Sequence, residues 1–167
     1  IILKLISLYR EAGEFEDARR IAFQRVIFNP SSAGARIDLI VLLHDTDDSD
    51  TMEREFAQFL SDFAEDQRAL GIMSSAVVKF QRPDLAIQVR ESAPTNAQGL
   101  PIPLFEIAVM QAQCASKQYQ KALKTGHKLA DYDELSKVNR ANINLMRAWS
   151  CYGLGETLKG DTWLKLS

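Results

Sequence analysis

The chain has 167 residues, 46% of them hydrophobic and 25% charged, and its 20 Lys+Arg against 22 Asp+Glu leave a formal charge of -2. That length and apolar fraction suit one folded domain and exclude a disordered chain, while the slightly acidic balance offers no positive field to phosphate backbones or anionic membranes. Its two cysteines, Cys114 and Cys151, are too few for a disulfide framework and form no CxxC, so they read as free, buried thiols that fit a reducing, intracellular compartment. No apolar run reaches the roughly 18 to 20 residues of a spanning helix, since the longest candidate, Ile37 to Leu43, contains Asp38. The chain opens at Ile1 without Met and without a basic segment followed by an apolar core, so it reads as a piece of something longer.

Apolar residues recur every three or four positions and Gly and Pro gather between the segments, which predicts helices throughout. A first helix carries Leu3, Leu5, Ile6, Leu8, Tyr9 and Ala12 on one face and ends at Gly13, the left-handed stop favoured just past a helix. A second runs from about Phe15 to Phe28, ahead of Pro30, and a third from about Ser32 to Leu43. HDTDDSD breaks the pattern; Asp50 with Glu53 then has the spacing of a capping box, and Met52, Phe56, Phe59, Leu60 and Phe63 form the core stripe of a fourth helix. Helical spacing resumes from about Asp66 to Phe80, and Pro83 suits the first position of the next helix. The longest loop, Ala93 to Pro103, is the candidate hinge or insertion, and it precedes helices at about 104–116, 119–130, 138–152 and 156–166. Together these make an all-α chain of ten helices in five antiparallel pairs, near 1–30, 31–64, 65–98, 101–132 and 136–167.

A period underlies the pairs. Small or apolar residues early in each second helix fall at Ala18, Met52, Ala86, Ala122 and Gly160, spaced by 34, 34, 36 and 38 residues, with the longer spacings at the longer loops. In the first pair Leu5, Tyr9, Gly13, Phe15, Ala18 and Pro30 stand where the tetratricopeptide repeat has Leu, Tyr, Gly, an aromatic, Ala and Pro, and Lys117 to Ala122 looks like that family's turn and small packing residue. The chain therefore resembles the tetratricopeptide repeat family along nearly its whole length, although Pro83, Arg90 and Gly160 depart from the family's pattern. The resemblance implies a single repeat domain over 1–167, a right-handed α-α superhelix or solenoid. In such a stack each hairpin shields the next, and terminal hairpins need a polar outer face. Trp163, Leu164 and Leu166 keep the last helix apolar, so the chain is expected to continue at both ends or to self-associate through open ends.

No catalytic constellation stands out. The acidic run around His44 lacks the glycine and the distal Glu of a calcium loop, and His127 has no second His at ligand spacing, so they read as a solvated loop and a partly buried packing histidine. No cofactor or metal is expected, nor a phosphate-cradling glycine loop. The resemblance implies instead that the first helices of successive pairs line a concave groove for a protein or peptide segment. Its positions here would be Ser7 and Arg10; Ile37, Val41 and His44; Ser75 and Val78; Gln111 and Cys114; and Asn142, Leu145, Met146, Trp149 and Tyr152. The carboxylate clamp of one chaperone-binding subclass is absent, because its positions carry Leu3, Ser7, Asp38, Arg68 and Ile72. The best local candidate is Asn142, Met146, Trp149 and Tyr152, flanked by Gln111 and Ser75, where amides pair with a peptide backbone and aromatics give flat apolar contacts. The expected function is a non-enzymatic interaction scaffold. The alternatives are a structural solenoid segment in a multi-subunit assembly and pentatricopeptide-like RNA binding, the latter disfavoured by the acidic balance.

Overall fold

The computed structural model of the chain describes residues 2–96, 99–130, 132 and 135–167, except the side chain of Leu3. The readings made above for that side chain, for Ile1, for Ala97 and Gln98 of the long loop and for positions 131, 133 and 134 lie outside the described residues.

Among the described residues there are ten helices and no strand: α1 (Ile2–Glu11), α2 (Phe15–Phe28), α3 (Ala33–Asp45), α4 (Ser49–Asp62), α5 (Gln67–Lys79), α6 (Pro83–Ser92), α7 (Pro103–Ala115), α8 (Tyr119–Ala130), α9 (Lys137–Gly153) and α10 (Thr157–Leu164). The helix starts have local causes. Side-chain oxygens of Ser32, Asp66 and Ser136 accept from the amides of Ala35 (3.2 Å), Ala69 (2.9 Å) and Asn139 (3.1 Å), satisfying one orphan donor each at α3, α5 and α9. Pro83 and Pro103 open α6 and α7, where a missing N–H costs nothing. At α4 the cap is Asp48, whose carboxylate accepts from Thr51 at 3.3 Å, and not the Asp50 and Glu53 box expected from spacing.

The repeat is exact at the turns between paired helices. The residues at these turns with positive φ are Gly13 (78°), Asp47 (56°), Gln81 (55°), Lys117 (60°) and Gly155 (77°). In each case the next amide reaches back to the final turn of the preceding helix: Glu14 to Tyr9 O (2.8 Å), Asp48 to Leu43 O (3.0 Å), Arg82 to Val77 O (3.4 Å), Gln118 to Gln113 O (2.8 Å) and Glu156 to Cys151 O (2.9 Å). The left-handed residue itself donates to Arg10, His44, Val78, Cys114 or Tyr152 O, which completes a Schellman motif five times. Five residues past each left-handed position stand Ala18, Met52, Ala86, Ala122 and Gly160, all buried, each amide closing onto the carbonyl that begins the second helix. The period read from these residues is thus the period of the backbone turn.

The chain divides into two compact units, Ile1–Ala69 and Leu70–Ser167. In the first, α1 packs on α2, α2 on α3 and α3 on α4. Its core holds Leu39, Ile40, Leu42, Leu43, Met52, Phe56 and Phe59, with the Phe63 ring 5.0 Å from that of Phe59. Each such large side chain contributes about 1.5–3 kcal/mol on burial. Ion pairs join the second helix of one pair to the next: Arg25 to Asp38, and Arg19 to Asp48 at 3.1 Å. In the second unit, α6 packs on α7, α7 on α8 and on α9, α8 on α9 and α9 on α10. Ile107, Met110, Cys114, Ala122, Leu129, Leu135, Ile143 and Met146 form a continuous core there, with Tyr132 against it.

Candidate functional site

Counting back from each left-handed turn residue puts the first helices in a common register, and in the second unit that register sorts the candidate residues. Ser75, Gln111 and Trp149 occupy one position on α5, α7 and α9, and Leu104 and Asn142 occupy another, about two turns earlier on the same stripe; all five are exposed. Trp149 is 57% exposed although it sits among core-forming neighbours. None of these five side chains carries a charge, and among the described residues Gln111 and Asn142 make no side-chain hydrogen bond. Ser75 donates back to Gly71 O at 3.3 Å. The face therefore offers an indole, a leucine and two amides with free donors and acceptors. That set can bind an extended backbone through hydrogen bonds and an apolar side chain through stacking.

Other candidates fall elsewhere. Met146 is a correction: it is buried, packed with Ile107, Cys114 and Ile143, because α7 lies against that side of α9. Cys114 and Ile37, placed on the groove by the resemblance, are likewise buried. Tyr152 is partly exposed, but its hydroxyl donates to Asp161 Oδ1 at 2.6 Å and its ring lies over Gly160, where an added Cβ would meet Cε1 at 2.7 Å. The acceptor carboxylate pushes the Tyr152 phenol above its ordinary range. Leu104, absent from the sequence-based set, was recoverable only from its register with Asn142.

The remaining polar groups are engaged structurally. In the acidic run Asp45 pairs with Arg10, and Asp48 caps α4 and pairs with Arg19, bonds that hold the Asp48 carboxyl below its usual range, the Thr51 hydrogen bond foremost. His127 is exposed rather than partly buried, edge-on to Trp163 with ring centroids 6.3 Å apart. Arg147 stacks over that indole at 4.4 Å from its centroid and donates to Gly126 O. Burial raises the Cys114 thiol, opposed by its contact with Ser150 Oγ at 3.3 Å, and burial also raises Cys151. A cleft of about 540 Å³ opens beside the long loop, with the Arg90 and Glu106 ion pair (3.4 Å) among its lining groups. The loop itself is closed by Asn96 N donating to Leu100 O at 2.8 Å, with Gly99 at φ 73°. Among the described residues no group of three His, Cys, Asp or Glu could hold a metal ion, and no helix is long and apolar enough to cross a membrane.

No family profile matches the sequence, and no curated protein matches it. Among solved structures the chain is similar to one described as "MamA MSR-1 C2", a tetratricopeptide-repeat-containing protein, with a TM-score of 0.53 and 14% identity over 99% of this chain and 91% of that one. At that identity the likeness establishes the fold: an all-α, tetratricopeptide-like helical repeat.

Proposed function

We propose that this chain is a non-enzymatic interaction scaffold of the tetratricopeptide type. It binds a segment of a partner protein on the exposed faces of α5, α7 and α9, through Ser75, Gln111, Asn142 and Trp149, with Leu104 beside them. The observation that carries the reading is the exposed indole of Trp149, aligned in register with two exposed polar side chains on the preceding first helices. An exposed indole that becomes buried on association commonly anchors an interface. The named side chains are uncharged, although exposed Arg68 of α5 stands at the register position of Leu104 and Asn142, so affinity comes mainly from desolvating the indole and Leu104 and from amide hydrogen bonds, and binding should weaken only modestly with salt.

The test is selection of displayed peptides on the wild-type chain, followed by titration of the selected peptides against Trp149→Ala and Asn142→Ala. Losses of roughly 2 kcal/mol at Trp149 and 1 kcal/mol at Asn142 are expected, as for a buried aromatic anchor and a single hydrogen-bonding amide. Affinity unchanged in both variants would remove the site.

A further inference from the structure

The cleft beside the long loop lies away from the peptide face. Leu104 and Glu106 are two residues apart on α7, about 200° around the helix axis, so the turn that exposes Leu104 carries Glu106 inward, where it is buried. With Glu106, the cleft is lined by Arg90 and Glu91 of α6, Leu100 and Pro101 of the loop, Lys128 of α8, and Tyr132. All of them belong to the second unit, and none is on α9.

The charges in this cleft are unevenly matched. Arg90 donates to Glu91 Oε1 at 2.9 Å and to Glu106 Oε1 at 3.4 Å, so one guanidinium serves two carboxylates. The Glu106 side chain is 7% exposed, yet among the described residues that long contact is the one hydrogen bond it accepts. A carboxylate has lone pairs for several donors, and burial makes each unmet one costly. Lys128, exposed at the rim, pairs with neither Glu91 nor Glu106. Burial and then the Glu106 charge raise the Tyr132 phenol above its ordinary range, with Arg90 opposing, so the phenol and the carboxylate share one part of the cleft. Glu106 thus presents the cleft with an acceptor that is short of a cationic donor.

We propose that this cleft binds the primary ammonium of an alkylamine, free or at the tip of a lysine side chain, with the ammonium donating to Glu106 and the alkyl stem lying against Leu100, Pro101 and Tyr132. An ammonium brings three donors and the positive charge that Arg90, shared with Glu91, leaves short, and an aromatic ring nearby adds to the attraction. Leu100, 48% exposed, and Pro101 supply the apolar surface that a methylene chain covers. An anion fares worse, because it would have to take Arg90 from both carboxylates. The volume of about 540 Å³ lies within the range of small-ligand pockets, about 300–1,000 Å³. Lys128 at the rim repels the incoming cation and keeps the affinity modest.

The whole chain is titrated with pentylamine and with lysine capped as its N-acetyl methylamide, and backbone amide shifts are followed by NMR. Both should move the signals of Leu100, Glu106 and Tyr132. Pentanol and pentanoate, of the same length without the positive charge, should bind at least about tenfold more weakly, and Glu106→Gln should weaken ammonium binding by at least about tenfold, as for loss of a charged hydrogen bond. Lys128→Met should tighten binding about twofold by removing a like charge, and Trp149→Ala should leave it unchanged. Circular dichroism checks folding, and the double variant Arg90→Gln with Glu106→Gln, which leaves no buried charge unpaired, replaces Glu106→Gln if that variant loses helix. Tighter binding of the capped lysine assigns the cleft to a protein occupant, equal or tighter binding of pentylamine assigns it to a free amine, and either supports the proposal. It is overturned if neither amine shifts these signals, if pentanol or pentanoate binds as well as pentylamine, if binding survives loss of the Glu106 carboxylate, or if Lys128→Met weakens it.

Discussion

The ring of Tyr119, at the start of α8, stands where a side chain on Gly153, at the end of α9, would have to go. Gly is a poor helix former, by about 1 kcal/mol against Ala, yet here it lets the ring close over the helix. Gly153→Ala should therefore destabilise the chain by about 1–2 kcal/mol through overpacking. Gly34, in α3 with nothing within 4 Å of an added Cβ, should respond oppositely, and Gly34→Ala should stabilise by about 0.5 kcal/mol. Urea denaturation of both variants measures the contrast.

At the five turns the backbone pays for a left-handed residue, and the cost depends on the side chain. Gln81→Gly and Lys117→Gly should each stabilise by about 1 kcal/mol, since a Cβ in this conformation costs about that much. Gly13→Ala should lose a similar amount, because no Cβ contact offsets the strain there. Thermal melts of the three variants separate the predictions by sign.

How much of this was legible in the sequence depended on the kind of residue. Ala18, Ala86 and Ala122 revealed the period because close helix packing demands small side chains. Asp47, Gln81 and Lys117 marked breaks in the apolar pattern but gave no sign of their left-handed backbone, because a Schellman motif is held by backbone hydrogen bonds and does not require glycine. The α9 pattern admitted both Leu145 and Met146 to one broad face, since each lies three or four residues from Asn142 and Trp149. Only α7, packed on one side, buries Met146 and leaves Leu145 out. The setting of His127 depends on Trp163, which lies in a different helix pair and is beyond the reach of local spacing.

Both thiols should resist modification in the folded chain. Burial raises Cys114 and Cys151 above the ordinary thiol range, so native protein should react slowly with a disulfide reagent and denatured protein fast, at two thiols per chain. The linkage runs toward high pH: the folded state disfavours thiolate, so this stability is fully present below the unfolded thiol value of about 8.5 and is lost as pH rises toward the raised folded values. Melting temperature should fall across that alkaline window, and less so in Cys114→Val.

Arg147 is buried against Gly126 O and the Trp163 ring, so removing its guanidinium takes away that hydrogen bond and uncovers an indole. Arg147→Ala should cost about 3 kcal/mol and shift Trp163 emission to the red, read by fluorescence-monitored unfolding.

The hairpin turns keep one length throughout, whereas the two spacings that exceed 34 residues take their extra residues outside the turns, one around the Ala93–Pro103 loop and the other at the start of the 17-residue α9. Lengthening in this chain is therefore confined to one side of the repeat. Residues added ahead of a first helix leave the Schellman bonds of the hairpin intact, whereas one residue added inside a turn would break them.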